Sequence, residues 1–253
     1  MKAVWRFLPA GIAVYVLFLL LTAPAAKLLP YIQPQLPDVQ FGVVSGTLWS
    51  GQAAQMNVGS VPLTGVSWGL RPLALLIGAV EYQVEAQLNG QPLAARLGRG
   101  LFSGAYVSDI DARIAASDLL YWSGLSQVGV DGQLLVSIDE VEGINNAGSL
   151  PAVAGSVTWV PAMVLAPLEL NLGEAQLETR IESGVTRGQL TATGGALTLT
   201  GEVTLNPDGN YQLVGELQKK GSVPQAVDKF LETFAELKGG KYHLEWSDQI
   251  KLR

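Results

Sequence analysis

Closely spaced acidic side chains are the residues of this sequence that could most directly support chemistry. Asp109 and Asp111 stand two positions apart, and Asp139, Glu140 and Glu142 form a second group. Paired carboxylates can serve as a general acid and base, and clustered carboxylates can bind Ca²⁺. Neither group has the Asp-x-Asn/Asp-x-Asn/Asp-Gly spacing of a calcium loop. The pattern therefore favours a solvated strand face and a turn over a carboxylate site.

The other side chains used in catalysis are scarce. The sequence has one histidine, His243, and no cysteine. Thiolate catalysis, disulfides and zinc sites built on thiolates are therefore excluded. Two glycine-rich segments, 98–100 and 194–195, do not lie between a strand and a helix as a phosphate-binding loop must. We expect no enzymatic activity, no cofactor and no metal site.

The composition limits the classes of partner. The 253 residues carry a formal net charge of −6, and lysine and arginine do not cluster among aromatic residues. Nucleic-acid binding depends on such positive clusters, so nucleic acid is not an expected partner. Apolar residues make up 48% of the sequence and charged residues only 15%, which favours extended sheet over charged helical surface.

The N-terminal segment predicts a membrane anchor. Lys2 and Arg6 precede an uncharged run from Phe7 to Ala26, which is about the 20 residues that a helix needs to cross a bilayer. Ala23-Pro24-Ala25 also has the small-residue pattern of a signal-peptidase site, so cleavage is the alternative. The length of the run favours the uncleaved anchor, because signal peptides usually have shorter apolar cores.

The charge around this run predicts the topology of the chain. Basic flanks stay in the cytoplasm, so we expect residues 1–7 to be cytoplasmic, residues 8–26 to span the membrane and residues 27–253 to form one exported domain. A division of that domain into two halves near residue 150 is possible, since a Gly-Thr-Leu-Trp segment at 46–49 has a faint echo at 155–159.

Beyond Pro37 the sequence alternates between apolar and polar residues, as strands with one buried face do. One hairpin joins 82–88 to 93–97 through Asn89-Gly90, a pair suited to the positive φ angles of a type I′ turn. A second joins 197–205 to 211–217 through a turn at 206–210. A shift of the alternation at Gly173 predicts a bulge or bend, so we expect a curved, twisted antiparallel sheet.

Helices are few beyond the anchor. A short amphipathic helix is predicted from Pro224 to Leu237, with Gly239-Gly240 ending it. We expect its apolar stripe to cover one end of the domain's own sheet. The stripe recurs at spacings of three and four residues and consists of Val227, Phe230, Leu231, Phe234 and Leu237. The predicted fold class is therefore mainly β, with one N-terminal transmembrane helix and one short C-terminal amphipathic helix.

Short motifs give the chain a resemblance to a known family. Gly-Thr-Leu-Trp-Ser-Gly at 46–51, Trp-Gly-Leu-Arg-Pro-Leu at 68–73 and Pro-Asp-Gly-Asn-Tyr at 207–211 occur in the order and spacing of the signatures of type II secretion system protein N, or GspN. The resemblance spans nearly the whole chain, including the N-terminal anchor. We expect the motif residues to have structural roles: Gly46, Thr47, Leu48, Trp49, Gly51, Trp68, Leu70, Pro72, Pro207, Gly209 and Tyr211. Residues 73–77 are expected to form an apolar turn that could plug the end of the sheet.

The resemblance implies an accessory, single-pass inner-membrane component of the type II secretion system in a Gram-negative cell. Its periplasmic domain would support the export of folded proteins across the outer membrane by binding other inner-membrane and periplasmic components of the machine, through sheet edges or the C-terminal helix. The family is also similar to AsmA-like bridge proteins, which implies an alternative: a groove that binds or conducts lipid. Leu197, Leu199, Val203, Tyr211 and Leu213 would line that groove.

Overall fold

The computed structural model describes residues 11–101, 104–122, 128–144, 148–166, 169–221 and 223–250, without residues 13, 17 and 20. Alternating sequences form strands throughout this range, and tight turns connect most of them. The turn at Asn89-Gly90 has the positive φ angles predicted for it, 49° and 79°. Both predicted hairpins are confirmed.

Fifteen strands of the described chain form one antiparallel sheet. Sequence neighbours pair from β3 to β13, β15 then pairs with β13, and β14 forms the last edge. The edge strands β1 and β14 do not pair with each other, so the sheet is open. The strands are β1 (Val39–Phe41), β2 (Val44–Gly46), β3 (Ser50–Val58), β4 (Val61–Leu70), β5 (Ala79–Leu88), β6 (Gln91–Gly100), β7 (Gly104–Ala115), β8 (Gly129–Glu142), β9 (Ala152–Ala166), β10 (Leu170–Glu182), β11 (Val185–Gly194), β12 (Leu197–Leu205), β13 (Asn210–Lys219), β14 (Ala235–Lys238) and β15 (Lys241–Gln249).

Four short helices accompany the sheet, and a 3-10 turn at Gln33–Gln35 follows the first of them. The described residues between 11 and 21 are also helical. Within the described part of the chain, we find no helix of the length and apolarity required to span a bilayer. The predicted span, residues 8–26, lies partly outside the described residues. The four helices are α1 (Ala25–Ile32), α2 (Pro72–Leu76), α3 (Ala116–Trp122) and α4 (Gln225–Phe234).

The sheet has one apolar face and one polar face, because successive side chains of a strand point to opposite sides. The register aligns apolar residues across the strands, as in the row Val136, Val157, Leu177 and Leu190. The expected groove residues Leu199, Val203 and Leu213 continue this apolar face on β12 and β13. The polar face carries the alternate residues, among them Glu178, Gln189 and Glu202, which are also cross-strand neighbours.

Two clusters of buried residues lie at the two ends of the sheet. The first joins β3, β4 and β5 and includes Ala53, Val66 and Ala86. The second joins Leu197 and Tyr242 of the sheet to Val227 and Leu231 of α4. The prediction that the C-terminal helix covers its own sheet is therefore confirmed for these residues, whereas the side chains of Phe230 and Phe234 lie outside the described part.

Between the two clusters the apolar face is only half-buried. The row from Val136 to Leu190 lies in this middle region and belongs to neither buried cluster, although α3 contacts β7 and β8. Apolar side chains on a two-sided sheet need a cover to become fully buried. The middle of the sheet is therefore an open apolar trough, and we call it the trough.

Three expectations about local structure have definite outcomes. The bulge at Gly173 is confirmed by register shifts on both sides of that residue. The extension of the C-terminal helix to Leu237 is wrong: α4 ends at Phe234, and Leu237 lies in β14 opposite Tyr242. The four residues 235–238 pair with β15, and this strand pairing satisfies their backbone groups in place of helical hydrogen bonds.

The apolar turn after Pro72 also differs from its prediction. Residues 72–76 form α2, and Leu73, Leu76 and Ile77 are strongly exposed, so they do not plug the end of the sheet. Only Ala74 of this helix is buried. A helix of five residues has only about one and a half turns, so only one narrow side of it can face the sheet.

Candidate functional site

The N-terminal segment joins the sheet along one of its two rows of strand ends, which we call the junction edge. This row includes the β2–β3 connection at 47–49, the β4–β5 connection at 71–78 and Leu101 after β6. Pro24 forms a β-bridge with Thr47, and the Leu48 amide donates a hydrogen bond to the Ala23 carbonyl at 3.0 Å. The backbone just before α1 is thus attached to the start of β3.

The β2–β3 connection is a tight turn with its own hydrogen bonds. The Thr47 amide donates to the Ser50 carbonyl at 2.8 Å, and the Ser50 amide donates to the Thr47 hydroxyl at 3.1 Å. Gly46 has a φ of 88°, a conformation that side chains with a Cβ rarely adopt. Gly46, Thr47 and Leu48 of the predicted motif therefore form the turn that receives the N-terminal segment.

Trp68 holds this turn from the neighbouring strand. Its indole Nε1 donates to the carbonyls of Thr47 and Leu48 at 3.3 and 3.2 Å. The ring lies over Gly51, its cross-strand partner, where an added Cβ would stand 2.5 Å from Trp68 Cζ2. The spacing of Gly51 and Trp68 in the motif is explained by this contact, since a side chain at 51 would occupy the space of the ring.

An apolar cavity of about 340 Å³ lies between α1 and the apolar face at this end of the sheet. Leu29 of α1 lines one side of it, and Trp68 and Val84 of the sheet line the other. The cavity has the size of a small ligand site, and its lining is almost wholly hydrocarbon. Its complete lining is Ala25, Leu29, Leu36, Phe41, Val44, Leu48, Met56, Val66, Trp68, Tyr82, Val84 and Leu97.

Beside the cavity, the junction edge carries a group of exposed apolar side chains that we call the apolar tip. The tip consists of Leu73, Leu76, Ile77 and Leu101, which are 73%, 82%, 84% and 78% exposed. Two contacts fix it to the sheet: the Leu101 amide donates to the Gly78 carbonyl at 3.0 Å, and the Leu70 amide donates to the Trp49 carbonyl at 2.6 Å. Leu70, Trp49 and Pro72 of the motif thus lie at the base of the tip.

A polar network supports the tip from the polar face. Arg71 forms an ion pair with Glu81 at 2.5 Å, and the Tyr106 hydroxyl donates to Glu81 at 2.8 Å. The hydrogen bond to the Glu81 carboxylate raises the pKa of Tyr106, because it stabilises the protonated phenol. The charge of Arg71 at the base of the tip is therefore compensated.

The remaining motif residues lie far from this site. Pro207 and Gly209 belong to the β12–β13 turn and Tyr211 to the start of β13, and seven strands, β5 to β11, separate β12 from β4. The Pro207 carbonyl accepts a hydrogen bond from the Leu150 amide at 2.8 Å, and the Trp246 indole donates to the Tyr211 hydroxyl at 3.2 Å. The structure thus brings eight of the motif residues together, from Gly46 to Pro72, and leaves these three apart.

An open depression of about 790 Å³ lies on the polar face near the C-terminal end of the sheet. Lys241 pairs with Glu216 at 2.6 Å, and this hydrogen bond holds the pKa of Glu216 below its ordinary value. His243 lies opposite Glu216 in the ladder, with Nδ1 3.7 Å from a Glu216 carboxylate oxygen. The acidic lining consists of Glu202, Glu216, Glu236 and Glu245.

Asp109 and Asp111, the first acidic group considered for chemistry, have ordinary polar partners. Asp109 forms an ion pair with Arg96 at 2.7 Å, and Asp111 accepts a hydrogen bond from Ser137 at 3.0 Å. Among the described residues, no group of three or more His, Asp or Glu side chains could hold a metal ion. The arrangement supports binding through shape, apolar contact and charge.

Comparison with known proteins decides the family. A profile of the family "Type II secretion system (T2SS), protein N" matches residues 37–245. The chain belongs to the type II secretion system protein N family. The protein N of Klebsiella pneumoniae is 30% identical to it over 217 residues, which cover 84% of this chain and 82% of the relative.

Other members of the protein N family align over similar lengths. The protein N of Vibrio cholerae is 28% identical over 219 residues, 82% of this chain and 83% of the relative. That of Aeromonas hydrophila is 29% identical over 248 residues, 93% of this chain and 94% of the relative. No solved structure matches the chain. The resemblance predicted from the motifs is confirmed.

In this member of the protein N family, the sequence did not predict that α1 forms one side of the cavity. Ala25 was assigned to the membrane span, whereas it is buried and lines the cavity together with Leu29. The available signal was Pro24, which starts α1 and separates it from the preceding helical residues. The residues predicted to line a groove, on β12 and β13, lie at the opposite end of the sheet from this cavity.

Proposed function

We propose that this chain is an accessory inner-membrane component of the type II secretion system that supports export of folded proteins by binding other components of the machine. Membership of the protein N family carries this proposal. The N-terminal segment anchors the chain from residue 8 up to Ala23 and Pro24, which form the junction with the sheet. Residues 1–7 are cytoplasmic, and the β-rich domain from residue 27 onward is periplasmic.

The polar face is the surface that we favour for docking. The apolar stripe of α4 packs on its own sheet through Val227 and Leu231, which removes it as a docking surface. The edge strands β1 and β14 have three and four residues, and short edges limit strand addition. The acidic depression on the polar face is open and broad, and it suits a partner with a basic surface.

A charge reversal tests this docking surface. Glu202→Lys changes the charge of the depression, whereas Glu169→Lys makes the same change at the β9–β10 connection, outside it. After cross-linking in cells, we expect Glu202→Lys to reduce recovery of other secretion-system inner-membrane proteins at least about threefold, as loss of charge complementarity does. Glu169→Lys should leave recovery unchanged.

Two results would count against the proposal at different levels. Equal recovery with Glu202→Lys and the unchanged chain would exclude the depression as the docking surface. Failure of the unchanged chain to recover any secretion-system protein, together with normal secretion in a deletion strain, would overturn the component role itself. Circular dichroism of both variants establishes that they retain the sheet.

A lipid-binding function is the second candidate, and a specific observation favours it. The trough leaves apolar side chains half-exposed over its middle strands, and the apolar cavity lies on the same face at the N-terminal end of the sheet. Exposed apolar surface of this extent is typical of sites that receive an apolar ligand. An acyl chain is the ligand class that suits a lining that is almost wholly hydrocarbon.

Native mass spectrometry of the full chain with lipid extraction tests this candidate. Leu97→Arg places a charge in the cavity lining, and Val214→Arg places the same charge on the polar face; both positions are exposed in part. A lipid held in the cavity should be lost in Leu97→Arg and retained in Val214→Arg, because burial of an unpaired charge is costly. Equal lipid content in both variants would exclude the cavity as a lipid site.

A further inference from the structure

The apolar tip is confined to one part of the sheet. Its four side chains come from the β4–β5 connection and from Leu101, which are adjacent at the junction edge. Further along the same edge, the turns at 183–184 and 206–209 consist of polar residues, glycine and proline. The turns at 59–60 and 89–90, on the opposite edge, are also polar or glycine. Exposed apolar side chains also occur elsewhere, among them Ile144 after β8 (41%) and Tyr121 of α3 (73%), but the tip brings together four that are each more than 70% exposed.

The tip lies next to the point where the N-terminal segment joins the sheet. Ala23 and Pro24 are attached to the β2–β3 turn, and the Leu70 amide at the base of the tip bonds to Trp49 of the same turn. The uncharged run that begins at Phe7 leads directly into this junction. Whatever surface receives the apolar run is therefore close to the tip.

We infer that the apolar tip inserts into the interfacial layer of the lipid bilayer beside the N-terminal segment. Leucine and isoleucine side chains gain from leaving water at the boundary between headgroups and acyl chains. Glu81 neutralises Arg71 at the base, so insertion of the tip does not bury an unpaired charge. The exposed Lys27 of α1 and Arg99 of β6 are nearby cations for anionic headgroups.

This contact fixes the orientation of the domain on the membrane. With the tip and the N-terminal segment as two attachments, the junction edge faces the bilayer and the opposite edge, with α3, faces away. The cavity then lies beside the lipid surface, and the polar face stays accessible to proteins. The inference rests on the membrane tether proposed above, and the test must separate failure of one from failure of the other.

The absence of cysteine from the sequence permits a direct test with single-cysteine labels. Leu76→Cys places an environment-sensitive fluorophore on the tip. Leu237→Cys is the matched control, a leucine that is 60% exposed near the opposite edge. The full chain is reconstituted in vesicles of phosphatidylethanolamine and phosphatidylglycerol containing nitroxide lipids, and flotation is measured on the same samples.

The tip label should be quenched at least about twofold more than the control label, because interfacial insertion places it within the depth of the nitroxide. Comparable quenching at both positions in chains that float with the vesicles would overturn the tip contact and leave the tether standing. Chains that do not float would overturn both. Replacing Leu73 and Ile77 by Asp in the labelled Leu76→Cys chain should abolish the quenching while flotation persists, and unchanged quenching would also refute the tip contact.

Discussion

Truncation of Leu231 compared with that of Leu237 tests how the C-terminal end of the domain is stabilised. Leu231 of α4 is 2% exposed and packs against the sheet, and Leu237 is 60% exposed in β14. Buried Leu→Ala substitutions cost about 2–5 kcal/mol of unfolding free energy, through lost burial and the cavity that remains. Alanine favours helix slightly more than leucine does, so any loss at Leu231 reflects packing. Leu237→Ala should change stability by no more than about 0.5 kcal/mol.

The comparison can be made by urea unfolding of the full chain in detergent micelles, followed by far-ultraviolet circular dichroism. In a chain of this length, 1 kcal/mol corresponds to about 2–4 °C in melting temperature, so the Leu231→Ala effect is easily resolved. If α4 detaches before the sheet unfolds, hydrogen exchange should accelerate at Leu197 and Tyr242, which the helix covers. Equal effects of the two substitutions would refute this packing and favour a helix that continues through Leu237.

Three further predictions follow from individual contacts. Gly51→Ala should destabilise the chain by about 1–3 kcal/mol in urea unfolding, because the added Cβ would stand 2.5 Å from the Trp68 ring and 2.7 Å from the Ser45 carbonyl oxygen. The control is Gly69→Ala, whose added Cβ has no heavy atom within 4 Å. This control should not show the loss of stability. The folded state raises the pKa of Tyr106, so the resulting stabilisation of the fold is present below the ordinary tyrosine pKa of about 10 and is lost above it. Between pH 7 and 11, the melting temperature of Tyr106→Phe should therefore fall less steeply than that of the unchanged chain. A slope equal to that of the control Tyr121→Phe would contradict this. Asp228 and Tyr242 raise the pKa of Lys219 to about 12, so Asp228→Asn should lower it toward about 10.4 in a side-chain NMR titration, and an unchanged value would exclude the ion pair as the cause.

Local sequence patterns predicted the sheet well because strand alternation and turn chemistry are short-range properties. Asn89-Gly90 and the bulge at Gly173 could be located from a few residues each. The end of α4 could not, because the residues after Phe234 pair with β15, which lies beyond them in the chain. Helical spacing alone cannot reveal a competing ladder with a later segment.

The candidate site was predicted only in part for a related reason. The motif residues from Gly46 to Pro72 were identified, but their common purpose depends on α1 packing over the apolar face. In the sequence, Ala25 lies at the end of an apolar run. The residues of that run do not show which of them contact lipid and which pack against the sheet. The contact of Ala23 with Leu48 joins segments that are 25 positions apart, which is beyond the reach of periodicity.

The two proposed functions make different demands on the two faces of the sheet, so they need not compete. The two ends of the trough are buried, around Val66 and around Leu231, whereas the middle row from Val136 to Leu190 is only half-buried. An acyl chain would cover that row, and the polar face would still present Glu202 to a protein. A lipid and a protein bound at once would be expected to leave each other's affinity almost unchanged unless the sheet changes its curvature. If Leu97→Arg loses its lipid and also recovers less of the other secretion-system proteins after cross-linking, the curvature of the sheet couples its two faces.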